Sequence, residues 1–171
     1  LLAVQIVFTA FALALPLAAL TVYYSDFLYA VPFLDPDAVR SSLGALNGVD
    51  LPRSHEAVLS AAMDRVRADL AERAAASARP VRSVVVAHAF VVGTGGPAET
   101  SDSERDIRVG GADAVPASVF AGVDYVALGH LHGAQQPASP DARTVLRYAG
   151  SPLRYSFSEA GQQKSMTLVE L

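Results

Sequence analysis

The chain has 171 residues, of which 51% are hydrophobic and 18% are charged. This length is sufficient for one domain with a buried core, and the composition excludes an intrinsically disordered chain. The absence of cysteine excludes disulfides, thiolate metal sites and cysteine nucleophiles, while the net charge of −4 provides no general attraction to nucleic acid or anionic lipid.

The first 20 residues contain no charged side chain and are long enough to cross a bilayer. Pro16 and the lack of flanking Lys or Arg argue against a spanning helix, and the lack of a basic start argues against a secretory signal. Because the chain begins with Leu1 and not Met, we expect a truncated start, with membrane insertion as the alternative. We therefore separate an apolar segment, residues 1–20, from a domain, residues 21–171, and expect a cytoplasmic protein.

The next elements are predicted from strand propensity and from a helix cap. Residues 20–33 are rich in β-branched and aromatic side chains, which predicts two short strands. Pro32 restricts the second of these strands to an edge or an end. Asp35 as the N-cap, followed by Pro36 in the first helical position, predicts a short helix that ends near Gly44 and Asn47-Gly48.

A second, longer helix is predicted from Ser54, as its N-cap, through Ala78. Its apolar residues recur at alternating spacings of four and three, as on one face of an amphipathic helix: Leu59, Met63, Val66 and Leu70. His55 lies at the start of this helix, and no second ligand-type residue follows it at a spacing suited to a metal site. We therefore expect His55 to be a solvated residue at the helix end.

Two short apolar runs, residues 82–87 and 125–128, predict strands buried on both faces of a layered α/β fold. The other predicted elements are a loop rich in Gly, Ser and acidic residues (93–106), a short helix (116–121) and two further strands (144–149 and 164–171). The chain is thus expected to be an α/β protein with several strands in its second half.

Three of the four histidines follow the two apolar runs. His88 ends the first run, and His130 and His132 follow the second, between Gly129 and Gly133. Open α/β sheets bind ligands at the carboxyl ends of their strands, and residues two apart in an extended segment point the same way. Neutral imidazole suits Mn, Fe, Zn or Co. We therefore predict a metal site here, although His88 taken alone could equally cap backbone carbonyls.

The segments around these histidines resemble a known family. Residues 129–133, preceded by residues 124–128, resemble the last metal motif of the calcineurin-like metallophosphoesterases, in particular of the bacterial SbcD-type nuclease subunits. Further segments resemble SbcD segments in the same order: residues 32–36, 88–91, 101–105, 109–111, 148–153 and 155–159. The resemblance covers roughly residues 29–171, and the ordered series makes it specific.

This resemblance implies a layered β sandwich flanked by helices and the hydrolysis of DNA phosphodiester bonds in repair and recombination. His88 and His130 would ligate one ion of a pair of divalent metals, with Mn as the first candidate, and His132 would ligate the other. The implied partners are an SbcC-type ATPase subunit, DNA and a second copy of the nuclease subunit. Basic, aromatic and hydroxyl side chains near the chain's end are candidates for contacting DNA, although the same composition suits a sheet edge: Arg147, Tyr148, Ser151, Arg154 and Tyr155.

The chain also departs from the family. The D-x-H, G-D-x-x-D and G-N-H-D/E motifs are absent, and three imidazoles cannot hold two metal ions. The acidic residues Asp102, Glu104 and Asp106 are expected to form a solvated loop and not to replace the missing ligands. We therefore expect this chain to be the second half of a phosphoesterase domain. We expect it to contain no catalytic residue and to be inactive alone. The alternatives are another calcineurin-like phosphoesterase, acting on phosphoproteins or nucleotides, and a non-catalytic truncated remnant.

Overall fold

The computed structural model describes residues 26–93, 100–102, 104 and 114–171. Its elements are, in chain order, β1 (Asp26–Val31), α1 (Pro36–Asn47), α2 (His55–Ala76), β2 (Arg82–His88), β3 (Phe90–Val92), β4 (Ala114–Pro116), a 3-10 helix (Ala117–Phe120), β5 (Tyr125–Gly129), β6 (Val145–Tyr148) and a second 3-10 helix (Phe157–Glu159). The structure is mixed α/β, which confirms the predicted class.

A four-stranded sheet with the order β1-β2-β5-β6 forms the centre of the structure, and all three strand pairs are parallel. The two apolar runs of the sequence, β2 and β5, are the inner strands, and buried side chains lie on both of their faces. The edge strand β1 ends directly before Pro32, as that proline predicts. The short strands β3 and β4 pair in parallel as a separate sheet.

Both helices begin and end for local reasons that can be read from the sequence. The Asp35 side chain accepts a hydrogen bond from a backbone N–H in the first turn of α1, and Pro36 is the first helical residue. Gly48 ends α1 with a φ of 67°, a conformation that glycine adopts without strain. The Ser54 hydroxyl caps α2, which ends at Ala76, two residues before its predicted end.

The largest buried cluster lies between α2 and one face of the sheet. Met63 of α2, Val85 of β2 and Val126 of β5 are fully buried in it. Burial of each such side chain stabilises the fold by about 1.5–3 kcal/mol. Val84 belongs to a smaller cluster, against which Val169 of the C-terminal segment packs. This arrangement explains why β2 is apolar at consecutive positions.

Some predicted elements differ in the structure. Residues 164–171 do not form the predicted strand, since only Val169 takes part in an isolated backbone bridge. The segment is also held by side chains: the Lys164 ammonium forms hydrogen bonds and Val169 packs on the sheet. The short strands β3 and β4 were not predicted. The first of the two strands predicted within residues 20–33 falls outside the described residues, whereas β1 confirms the second.

The apolar segment, residues 1–20, lies outside the described residues. Within the described part of the chain, neither helix combines the length and the apolar character needed to cross a membrane. The longer helix, α2, has 22 residues but includes charged side chains along its middle, among them Asp64, Arg65 and Arg67.

Candidate metal centre

The carboxyl ends of β2 and β5 bring two imidazole rings together. His88 is the last residue of β2 and lies opposite Gly129, the last residue of β5. His130 follows directly, and its ring centroid lies 5.5 Å from that of His88, with the ring planes at 76°. Two imidazoles that ligate one ion through nitrogens at about 2.1 Å have centroids roughly 5–6 Å apart. The pair therefore has the spacing of two ligands of one metal ion.

The surroundings of this pair are shaped to hold both rings. A Cβ atom at Gly129 would lie 3.1 Å from Nδ1 of His88, so the missing side chain gives the ring its room. The Phe90 ring centroid lies 6.0 Å from that of His130, and the Phe33 centroid lies 5.9 Å from that of His88. Aromatic neighbours on both sides thus restrict the orientations of the two imidazoles.

His130 has a strained backbone. Its φ is 117°, and it is the only non-glycine residue with positive φ among those that the structure describes. Such a conformation costs about 1–3 kcal/mol and persists only where the surrounding structure enforces it. Strain of this kind concentrates at functional sites, and the carboxyl edge of a parallel sheet is where such folds bind ligands. The strained conformation of His130 therefore indicates a functional site at the carboxyl ends of β2 and β5, where His88 and His130 lie together.

The protonation of His88 also suits a ligand. Burial of its inner side, and to a smaller extent the charge of His130, holds the pKa of His88 below its usual range. The neutral imidazole is the form that binds metals. Another side of His88 is exposed to solvent, so a cation can reach the pair.

A third histidine belongs to the wall of this site. His55 is buried at the start of α2, its ring centroid lies 5.5 Å from that of Phe33, and it lines a small cleft together with His88. The prediction of a solvated His55 is therefore wrong. The signal was present, because His55 precedes Leu59 by four residues and extends the apolar face of α2.

The ring of His132 faces a different set of partners. Its Nδ1 lies 2.8 Å from Oε1 of Glu159, and its ring centroid lies 5.5 Å from that of Tyr155. The prediction that His130 and His132 point into one crevice assumed extended backbone. That assumption is wrong, because β5 ends at Gly129 and His130 has a positive φ.

Two glutamates that the sequence did not assign to the site contact His132. Glu159 is fully buried and binds the ring, and Glu104 accepts a hydrogen bond at 2.6 Å from the backbone N–H of His132. The prediction of a solvated acidic loop is therefore wrong for Glu104. Asp102 of that loop is exposed, and Asp106 lies outside the described residues. Hydrophobic periodicity in the sequence could not identify either glutamate as a site residue, because both lie outside the longer helices and strands.

The described residues provide part of a metal site. Within the ranges that the structure describes, no group of three or more His, Asp or Glu side chains is arranged to hold an ion. His88 and His130 fit a metal by their spacing and by the neutral form of His88. They form a suitable but incomplete donor set, because a metal ion takes at least four ligands.

Two of the five candidate DNA contacts are buried. The Tyr148 hydroxyl donates to the carbonyl of Ala89 at 2.7 Å and accepts from the N–H of Val91 at 2.8 Å, and the side chain is fully buried. The Tyr148 hydroxyl thus satisfies backbone groups beside β2 and β3, and in this structure its side chain has no solvent-exposed surface. Ser151 is also buried, and its hydroxyl donates to the carbonyl of Leu153.

The other three candidates retain exposed surface to different degrees. Arg147 is half-buried in β6, and Arg154 is exposed and donates at 2.8 Å to the carbonyl of Gln162. Tyr155 is 59% exposed, with its ring beside that of His132. Tyr155 is therefore the member of this group that lies next to a predicted metal ligand.

Comparison with known proteins agrees with the resemblance seen in the sequence. No protein-family model matches the chain. The SbcD subunit of the nuclease SbcCD from Escherichia coli strain K12 is 35% identical over 143 residues, which cover 83% of this chain and 33% of the relative. The protein of the same name from Rhodobacter capsulatus is 38% identical over 144 residues, covering 83% of this chain and 32% of the relative.

A third relative matches a shorter stretch at higher identity. The SbcD subunit of the nuclease SbcCD from Bacillus subtilis strain 168 is 51% identical over 88 residues, which cover 51% of this chain and 21% of the relative. The matched region thus spans between a fifth and a third of the length of these relatives.

Proposed function

This chain belongs to the SbcD family of nuclease subunits, and we propose that it contributes one side of the active centre of a metal-dependent DNA nuclease. The observation that carries this proposal is the pairing of His88 with His130 at the carboxyl ends of adjacent parallel strands. The reaction would be phosphodiester hydrolysis at DNA ends or hairpins, in repair and recombination.

We infer that His88 and His130 hold one divalent ion and that His132 holds a second, with Mn as the first candidate for both. Bound divalent ions would supply Lewis acidity that activates a water molecule and offsets charge on the phosphate. The part of this chain is to keep His88 neutral, to hold His130 beside it, and to orient His132 through Glu159. Catalytic acids or bases would come from outside the chain.

The proposed setting is a layered β sandwich flanked by helices, of which residues 21–171 form the C-terminal half. The order of the family-like segments along the chain supports this placement. The short β3–β4 sheet, whose first strand starts two residues after the end of β2, is compatible with a second layer.

The name shared by the relatives, which makes each of them one component of an SbcCD nuclease, supports an SbcC-type ATPase subunit as partner and DNA as substrate. We extend this proposal to a pair of SbcD-type subunits in the complex, working in the cytoplasm. Arg154 and Tyr155 have the exposure and chemistry to contact phosphate and base, respectively.

The test is cleavage of linear double-stranded DNA by the intact protein with Mn(II). We expect His88→Ala and His130→Ala each to lower kcat/KM by about 100-fold or more, because each removes a ligand of the reacting centre. Asp37→Asn is the matched control. It changes an exposed ion pair between Asp37 of α1 and Arg53, and it should leave turnover unchanged.

The contrary outcomes are distinct. Cleavage of phosphoproteins or nucleotides with no activity on DNA would favour another phosphoesterase. Absence of any Mn-dependent turnover would favour a non-catalytic remnant. Full activity of both histidine variants would refute the proposed role of the ring pair.

A further inference from the structure

The side chain of Glu159 lies at the centre of a buried polar network behind His132. It is fully buried in the second 3-10 helix. Its Oε1 lies 2.8 Å from Nδ1 of His132 and 3.2 Å from the Ser101 hydroxyl. Its Oε2 accepts from the ammonium of Lys164 at 2.8 Å and from the backbone N–H of Tyr155 at 3.2 Å. Both carboxylate oxygens are therefore occupied by donors from other parts of the chain.

Lys164 makes a charged carboxylate possible at this depth. Its ammonium is itself largely buried and also donates to the carbonyl of His132 at 3.0 Å and to the Ser151 hydroxyl at 2.8 Å. A buried charge is tolerated when a counter-charge and hydrogen bonds surround it. The donors around Glu159, with Lys164 among them, therefore make it a hydrogen-bond acceptor at both of its oxygens.

We propose that Glu159 is a positioning residue, which keeps the ring proton of His132 on Nδ1 and presents Nε2 as the ligand nitrogen. An acceptor-only carboxylate at Nδ1 requires N–H there, and the hydrogen bond at one imidazole nitrogen determines which nitrogen remains for a metal. Carboxylates in this position raise the basicity of metal-binding histidines. The identity of what Nε2 binds rests on the proposed function, but the tautomer does not.

The substitution Glu159→Gln tests this assignment because the surroundings dictate how the amide must lie. Lys164 and the backbone N–H of Tyr155 are both donors, so they require the amide oxygen at the Oε2 position. The amide NH₂ then faces Nδ1 of His132, which must accept a hydrogen bond. The ring proton is thereby moved to Nε2, the nitrogen that the proposal assigns to the ligand.

The experiment uses NMR of the intact protein, labelled with ¹⁵N-histidine and free of added metal. The two ring nitrogens of His132 are assigned by their loss in His132→Gln. We expect the Nδ1–H tautomer in the wild type and the Nε2–H tautomer in Glu159→Gln. Ser101→Ala is the matched control, because it removes another partner of the same oxygen and should leave the Nδ1–H tautomer in place.

A second readout is the affinity for Mn(II) by calorimetry, which we expect Glu159→Gln to weaken by about 10–100-fold. A wild-type ring that carries its proton on Nε2, or on both nitrogens, would overturn the proposal. So would a Glu159→Gln protein that folds and keeps the Nδ1–H tautomer. If Glu159→Gln does not fold, the wild-type tautomer alone decides: Nδ1–H supports the proposal and any other state refutes it.

The outcomes also separate this inference from the nuclease proposal. An intact protein without Mn-dependent DNA cleavage, but with the expected change of tautomer, would refute the nuclease and leave the role of Glu159 standing. An intact protein that cleaves DNA with Mn(II), but whose His132 tautomer is unaffected by Glu159→Gln, would support the nuclease and refute the role of Glu159.

Discussion

At the residue scale, His130 shows how this structure places a ring at the cost of backbone stability. Its φ of 117° is unfavourable for any residue with a Cβ atom. In this conformation the imidazole of His130 lies beside that of His88, with the ring centroids 5.5 Å apart. Backbone strain of this size is typical of residues at functional sites, so it favours a functional role for His130.

The strain at His130 predicts an unusual order of stabilities. Glycine adopts positive φ freely, so His130→Gly should have a free energy of unfolding about 1 kcal/mol or more above that of His130→Ala. Urea denaturation measures both values. At Ala134, an exposed residue without positive φ, Ala134→Gly should instead lower the stability by several tenths of a kcal/mol. Equal stability of the two His130 variants would show that position 130 is not strained.

At the element scale, the amino ends of β2, β5 and β6 are joined through one carboxylate. Asp124, just before β5, accepts from the backbone N–H of Ser83 at 2.8 Å and from its hydroxyl at 2.9 Å. The Arg143 guanidinium, just before β6, binds both oxygens of the same carboxylate, at 3.0 and 2.8 Å. Asp124 therefore connects three neighbouring strands at the edge opposite to the histidines.

This connection predicts different effects for two Asp→Asn substitutions. Asp124→Asn should lower the free energy of unfolding by about 2 kcal/mol, because it weakens charge-assisted hydrogen bonds at a buried position. Asp37→Asn, which removes an exposed ion pair with Arg53, should cost less than about 1 kcal/mol. Urea denaturation at neutral pH compares them, and equal losses would contradict the structural role of Asp124.

The same carboxylate contributes to the pH dependence of stability. Burial acts to raise the pKa of Asp124, but hydrogen bonds from Arg143 and Ser83 outweigh it, so the folded-state pKa lies below the usual value. Its stabilising contribution is complete above the unfolded-state pKa of about 4 and is lost as the pH falls through the lower folded-state pKa. Below about pH 4, the difference in stability between the wild type and Asp124→Asn should therefore shrink.

At the scale of the whole molecule, one ammonium group attaches the C-terminal segment to the site. Lys164 lies in that segment, and its Nζ contacts the carbonyl of His132, the Ser151 hydroxyl and the Glu159 carboxylate. Chain segments far apart in sequence are thus joined at one buried point.

Removing this ammonium should therefore be costly. Lys164→Met leaves the buried Glu159 carboxylate without its counter-charge, and we expect a loss of about 3 kcal/mol in the free energy of unfolding. Arg154→Met is the matched control, because its exposed guanidinium donates to the same segment through the Gln162 carbonyl. The control should cost less than about 1 kcal/mol, measured in the same urea series. A small loss for Lys164→Met would show that the network carries little energy.

Local chemistry was sufficient to predict most of the regular elements. The caps at Asp35 and Ser54, the end of α1 at Gly48 and the buried strands β2 and β5 all depend on neighbouring residues or on short apolar runs. The strand predicted for residues 164–171 was wrong because that segment is held by tertiary contacts of Lys164 and Val169. The strands β3 and β4, with three residues each, are too short to leave a pattern.

For the site, the sequence by itself determined that His88 and His130 follow buried strands, since apolar runs locate strands and parallel strands share a carboxyl edge. It also carried the resemblance that the relatives support. Only the tertiary structure decided that His130 turns beside His88, that Tyr148 is a core residue and that Glu159 holds His132. The reason is physical: side-chain direction at a strand end, and the partners of a buried polar group, depend on residues far away in the chain.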